Sequence, residues 1–404
     1  MLVDRHPGES VRAGVGPIEG IEALRALAIT WVVAFHYVVV RLPRGMDPWV
    51  GWIAAVTPAD VAVRNGYLGV DLFFLITGFL LVIPWARHRH EARPAPRAAD
   101  FYVRRVRRIV PAYYAHLAIL FAVFVPLLLG LAFVRDERAL VAINAAAHAL
   151  FLQYTTPLTS ASLSVNGALW TLTLEAQFYL LLPLLAPRFV RSPVACASAM
   201  TLAAALWRWL AAHDMAPLVA WETAIGARWS VGEAAIRHLL QTQLPGYLAH
   251  FAAGMAMGIW WLRRRARPVS VGESAAWLGA LAAALALLYW AYGLGGGALL
   301  GPAGSWLATL AALCVLVMAM TGGGALPARL LVHRPVLFVG RTSYSAYLYH
   351  LPLLLAWNHF RILDGHWLSA PLYLATVLCI AWLSYQFVER RFIALPRAAA
   401  PRAL

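Results

Sequence analysis

The sequence predicts an all-α polytopic membrane protein, a bundle of about ten transmembrane helices with both termini on the cytoplasmic side. Three observations lead there. Of the 404 residues, 62% are hydrophobic and only 13% are charged; with a mean hydropathy of +0.68, this is far from the balance of a soluble globular chain. The apolar residues recur in blocks of about twenty, the length a helix needs to cross a bilayer. The blocks lack the alternation of barrel strands, and lipid offers backbone groups no hydrogen bonds, so helices are the spanning form.

In chain order the predicted spans are 24–42, 66–86, 109–134, 168–187, 192–212, 243–262, 273–292, 304–320, 336–357 and 368–388. The segment 135–167 is too polar at both ends to cross, and its amphipathic middle suits a short interfacial or re-entrant helix on the outer side. The stretch 213–242, with Trp221, Glu222 and Trp229, reads as a second outer loop, and GLGGG at 293–297 reads as a turn. Residues 1–19 and 393–404 are expected to be cytoplasmic tails flanking a single membrane domain, 20–392. The first twenty residues are polar and lack the apolar core and small-residue cleavage site of a signal peptide, so the first span is expected to direct insertion into the cell membrane.

The net charge of +15 comes entirely from arginine, since the chain contains no lysine. These arginines cluster between apolar blocks, and placing the N-terminus inside puts the larger share of them on the cytoplasmic side. Nucleic-acid binding is excluded as the explanation, because the basic residues are divided among short loops rather than gathered on one face. Cys196, Cys314 and Cys379 each sit inside an apolar block, and no Cys/His metal pattern occurs, so neither a disulfide nor a metal site is expected.

The first span raises the question of chemistry. RALAITWVVAFH runs from Arg25 to His36. Eleven residues at 100° each bring both side chains to one helix face about 16 Å apart along the axis. Arg25 then lies near the cytoplasmic mouth and His36 within the hydrocarbon layer, where an ionisable group faces a bundle interior or a water-filled cavity. A neutral imidazole there can act as a general base; a packed histidine bonded to a carbonyl is the competing interpretation.

FYVRRVRRIVPAYY carries Arg104, Arg105, Arg107 and Arg108 just ahead of the third span. They could be simple interfacial anchors. Arg104 and Arg108 are one turn apart on the side of Arg25, however, so their guanidinium forks could grip a polyphosphate. A nucleotide-bearing thioester suits that layout, with phosphates at the mouth and the reactive carbonyl near His36. Glu175, in LWTLTLEAQFYLLLP, lies in an apolar helix with Tyr179 nearby and needs a partner, either in a structural ion pair or to orient His36 or an arginine. Asp71 in GVDLFFLITGF invites the same reasoning, with helix packing at Gly69 and Gly78 as the alternative. Tyr347 and His350 share a face in SYSAYLYHLPL and are secondary candidates, though an aromatic belt also accounts for the tyrosines.

Taken together and in order, IEALRALAITWVVAFH, GVDLFFLITGFLL, RRVRRIVPAYY, LWTLTLEAQFYLLLPLL, PGYLAHFAAGMAMG, SYSAYLYHLPL and FVERRF resemble the acyltransferase-3 family of integral membrane O-acyltransferases. The resemblance covers residues 20 to 392. It implies a ten-helix bundle moving an acyl group, commonly acetyl, from cytoplasmic acyl-CoA to a hydroxyl of an envelope polysaccharide, lipid-linked sugar or secreted small molecule, with no permanently bound cofactor. The family's arginine-ten-histidine pattern falls on Arg25 and His36, its basic cluster within Arg104 to Arg108, and the first of its usual paired acids on Glu175, the second being Ala176. The closing VERR lacks the family's proline. From a different class, a non-catalytic transporter or flippase for a lipid-linked glycan would share the buried polar groups and the bundle, but would have no reason to bind coenzyme A.

Overall fold

The computed structural model describes residues 17–264, apart from 46 and 162, and 333–393, with a few isolated positions between. The predicted spans 273–292 and 304–320, Cys314, the turn at 293–297 and most of both tails lie outside the described residues. Every regular element among the described residues is helical.

The chain opens with α1 (Pro17–Arg41), followed by the short α2 (Pro48–Ala55) and α3 (Thr57–Arg64), and then α4 (Gly69–Glu91). Next come α5 (Ala98–Ile119), a π-helical stretch at Leu120–Phe124, and the short α6 (Val125–Leu129) and α7 (Leu131–Asp136). The amphipathic middle of 135–167 forms α8 (Arg138–Ala149), with α9 (Pro157–Ser160) after it. The rest comprises α10 (Trp170–Arg191), α11 (Pro193–His213), α12 (Ala216–Gly226), α13 (Glu233–Gln241), α14 (Leu244–Arg264), α15 (Arg334–His359) and α16 (Ser369–Ser384). A second π-helical stretch, Tyr385–Glu389, continues α16.

Six helical stretches are long and apolar enough to cross a membrane by length and composition: 19–41, 66–91, 98–129, 167–191, 193–213 and 369–393. Apolar side chains on the outward surfaces of α10 and α11, among them Leu180, Leu184, Leu202 and Leu206, stay exposed, as an integral, multi-pass membrane protein requires. Two other predicted spans differ in kind. At 21 and 26 residues, α14 and α15 extend about 31 and 39 Å at 1.5 Å per residue, which is enough to cross. Their glycines, histidines, tyrosines and serines dilute the apolar signal because both helices are wrapped by neighbours, not by lipid; His250, Tyr349 and His350 are all buried.

Two helix pairs position the interior: α4 runs along α14, and α1 along α15, while α1 also meets α4 and α10 also meets α4. The first pair is close because it is built on small residues. A Cβ at Gly78 of α4 would overlap the Phe251 carbonyl, and one at Gly254 of α14 would overlap that of Leu75. Gly254 and Gly258 thus form a G-x-x-x-G contact against α4, bringing the backbones together where lipid supplies no hydrophobic drive.

The third span begins earlier than expected. Helix α5 starts at Ala98, so the four arginines lie within its second and third turns rather than ahead of it. Arginine is a good helix former, and its long stem reaches an interface from inside the helix.

At the far end of α1, Arg41 is 1% exposed and ion-paired to Asp47 (3.1 Å) and Asp364 (2.8 Å). Asp47 also receives hydrogen bonds from Tyr37 (2.6 Å) and Ser369 (2.7 Å), and it caps α2 at Trp49 N (3.0 Å). Burial pushes the Asp47 carboxyl up, but its hydrogen bonds from Tyr37, Ser369 and Arg41 outweigh that and hold it below the usual carboxylate range.

Candidate active site

Arg25 and His36 both lie in α1, as their spacing requires, and both are half-buried. The imidazole of His36 meets a second one. His350 Nε2 lies 3.3 Å from His36 Nδ1, and the ring centroids are 5.0 Å apart. The surroundings assign the protons. His350 Nδ1 faces the carbonyls of Tyr347 (2.8 Å) and Ala346 (3.2 Å), so it carries hydrogen and leaves Nε2 bare. His36 Nδ1 faces the Val32 carbonyl (2.9 Å) and that bare Nε2, so it too carries hydrogen. The unprotonated nitrogen of His36 is therefore Nε2.

Five elements contribute to the charged group at the other end of this face. Glu175 of α10 accepts hydrogen bonds from Thr77 of α4 (3.1 Å) and from Tyr179 (2.9 Å). Arg105 and Arg108 are one turn apart on α5, and Arg105 stands in electrostatic range of Glu175 and Tyr179. The Arg25 guanidinium is in electrostatic range of Arg108, Glu389, Glu175 and Tyr179. Glu389, in the π-helical stretch after α16, accepts a hydrogen bond from Ser345 and lies 3.9 Å from Arg108. Three guanidiniums here face two carboxylates, which leaves a cationic excess before Arg104 and Arg107 are counted. Arg25, Thr77, Arg105, Arg108, Glu175 and Tyr179, and His36 at the other end of the face, each keep part of their surface accessible.

The secondary candidates divide. Tyr347 packs 5.6 Å from the His350 ring, accepts a hydrogen bond from Thr171 (2.8 Å) and donates to the Ala168 carbonyl, so it braces the start of α10 beside the histidine pair. Asp71 belongs elsewhere: it is buried 3.6 Å from His250 of α14, in the tight α4–α14 seam. Arg104 is in electrostatic range of Arg105. Among the described residues no group of His, Cys, Asp or Glu is arranged to hold a metal ion.

Sequence reasoning did not single out Thr77, Glu389 or His116. His116 of α5 is fully buried, with Nε2 3.0 Å from the Asn166 amide, and it is in electrostatic range of His350. A signal for it did exist: Arg105 and His116 repeat on α5 the eleven-residue interval of Arg25 and His36 on α1.

A family model described as an acyltransferase domain, of the acyltransferase-3 type, matches residues 18–386. The chain belongs to the acyltransferase-3 family. It is 26% identical, over 92% of its length and 81% of the other's, to a Komagataeibacter xylinus protein carrying the name membrane-bound transacylase BcsY. It is 27% identical over 70% of its length, and 75% of the other's, to the exopolysaccharide production protein ExoZ of Rhizobium meliloti. It is also 23% identical over 92% of its length to the O-acetyltransferase OatA of Staphylococcus aureus, and it spans 56% of that protein's length. No solved structure matches the chain. As an acyltransferase-3 member, the protein is a multi-pass membrane O-acyltransferase, and the two polar groups joined by α1 are its candidate catalytic machinery.

Proposed function

We propose that this chain takes an acyl group, commonly acetyl, from cytoplasmic acyl-CoA and delivers it to a hydroxyl of an envelope glycan, a lipid-linked sugar or a secreted small molecule. On this reading it sits in the cytoplasmic membrane with both termini inside. The observation that carries the donor assignment is the cationic excess at Arg25, Arg105 and Arg108, joined along one helix face to a histidine whose Nε2 is free. A phosphate-rich handle suits the guanidiniums, whose forked donors match phosphate oxygens. A flexible arm of coenzyme A length covers the roughly 16 Å to His36.

In the reaction, His36 Nε2 takes the proton of the acceptor hydroxyl as its oxygen attacks the thioester carbonyl. The C–O bond forms, the C–S bond breaks, and the proton passes to the departing thiolate. Attack by Nε2 itself, giving an acyl-histidine that the hydroxyl then cleaves, uses the same nitrogen and is distinguished by ping-pong kinetics. His350 and the Val32 carbonyl hold the ring in the tautomer that either route needs. Glu175, bonded to Thr77 and Tyr179, keeps the guanidinium group ordered while balancing part of its charge.

The test is transfer of labelled acetyl-CoA in membranes carrying the wild type or His36→Ala at matched protein levels. Loss of labelled ester is expected. Undiminished ester, with the variant still in the membrane, overturns the assignment of His36. Absence of any thermal shift of the purified wild type with acetyl-CoA overturns the donor.

A further inference from the structure

A polar cavity lies at the opposite end of α5 from the arginines. Arg105 and Phe121 are sixteen residues apart, about 24 Å at 1.5 Å per residue. The cavity, of about 50 Å³, is walled by Phe121, Tyr154 and Trp170 and by the polar side chains of His148, Gln153 and Asn166, among others. By the measure in which one water needs about 10–15 Å³, it holds a few waters or the edge of one sugar ring.

Its wall presents several side-chain acceptors. Gln153 is 3% exposed; its amide donates to the Leu169 carbonyl (2.8 Å), and its own carbonyl oxygen is buried with no partner. Asn166 is 6% exposed; its amide donates to the Leu348 carbonyl (2.9 Å) and faces His116 Nε2 (3.0 Å), and its carbonyl oxygen is likewise unpartnered. His148 Nδ1 donates to the Asn144 carbonyl (2.8 Å), which leaves Nε2 as an acceptor. Three side-chain acceptors thus line one cavity, and a buried acceptor left without a donor is costly. A ligand rich in O–H donors relieves all three, and the aromatic walls suit the apolar C–H faces such a ligand also carries.

The cavity is also joined to the histidine pair. Residues 166–170 form a shared wall: Ala168 accepts from Tyr347, Asn166 donates to Leu348, and Trp170 lines the cavity. His116 bridges the two, being in electrostatic range of both His350 and His148. We propose that this cavity is the binding site for the hydroxyl-rich acceptor, a sugar of pyranose type whose hydroxyls donate to Gln153, His148 and Asn166 while the one to be acylated is turned toward His36. This rests on the acyl-transfer reading of the preceding subsection.

The experiment complements a deletion strain with full-length wild type, Gln153→Met, His148→Phe or His148→Gln, and measures base-labile acyl esters in both envelope and culture medium. Purified proteins are tested in parallel for thermal shift with acetyl-CoA. Gln153→Met and His148→Phe are expected to lower ester yield by about tenfold. Their acetyl-CoA shift stays at the wild-type size, and His148→Gln, which keeps an acceptor, recovers much of the yield. Wild-type yields in Gln153→Met and His148→Phe overturn the acceptor site and leave a water-filled structural cavity. Loss of the acetyl-CoA shift in these two variants also overturns it, since the residues would then be serving the fold or the donor. A wild type that shows no acetyl-CoA shift at all overturns the donor reading instead.

Discussion

His350 Nε2 stands 3.3 Å from His36 Nδ1, and this contact directs the reactive nitrogen of α1 into the site. Replacing His350 by phenylalanine removes the acceptor that shares the Nδ1 proton. The expected result is a fall in turnover of about 10- to 100-fold, at the low end of what a positioned base contributes, with the half-saturating acyl-CoA concentration little changed. Steady-state release of free coenzyme A measures both. A rise confined to the half-saturating concentration would show that His350 serves donor binding instead.

Arg25, Arg105 and Arg108 should act on the donor with turnover far less affected. Each change to glutamine is expected to weaken acyl-CoA binding by about tenfold through loss of charge-assisted hydrogen bonds. Arg108→Lys should recover only part of it, because an ammonium lacks the planar fork. Isothermal titration or thermal shift with acyl-CoA reports the order directly.

Glu389→Gln removes the carboxylate 3.9 Å from Arg108 while keeping a group that can accept from Ser345. The expected outcome is greater mutual repulsion among Arg25, Arg105 and Arg108 in the free protein and a lower melting temperature in low salt. Added phosphate or acyl-CoA should restore it, and the melting curve with and without ligand is the measurement. Equal melting of variant and wild type at low salt would remove Glu389 from the charge balance.

The α4–α14 seam predicts a stability effect without an electrostatic one. Gly254→Leu inserts a side chain where even a Cβ meets the Leu75 carbonyl. Overpacking of this kind costs about 1–3 kcal/mol or more, so the variant should accumulate poorly and melt earlier in detergent. Gly232→Ala, where a Cβ meets nothing within 4 Å, is the control and should melt as wild type does.

Asp47 predicts an acid dependence. Its folded carboxyl titrates below the unfolded value of about 3.9, so its stabilising contribution is complete above that value. It is lost as pH falls through the depressed folded value. Asp47→Asn should therefore be less stable than wild type near neutrality by roughly 1–3 kcal/mol, the cost of breaking a buried charged network. The gap should close on acidification. Melting temperatures of the two proteins between about pH 5 and pH 2 test the sign.

Local spacing carried the parts of the site that one helix determines. The Arg25–His36 interval, the one-turn pairs of α5 and the isolation of Glu175 in an apolar helix are periodic facts, readable before any packing is known. Glu389 was hidden because FVERR reads as a charged end, and only packing of α5 against the stretch after α16 buries that acid. The His116–Asn166 contact joins residues fifty apart, beyond the reach of helical periodicity. The interior helices α14 and α15 were delimited to within two residues at each end although they trade apolar side chains for polar ones, whereas the start of α5 was missed because its arginines lie inside the helix.

The wide turn at Tyr385–Glu389 has a consequence for how the family's closing motif tolerates change. A π-turn holds one residue more than the α-turn it replaces, so the aim of Glu389 depends on a count, not on composition alone. If the stretch tightened to ordinary pitch with all five residues kept, everything downstream would swing by about 100°. The acid would leave Arg108 although every charged letter of the motif survived. A copy that lost only the wide turn would look intact in an alignment and still be mute.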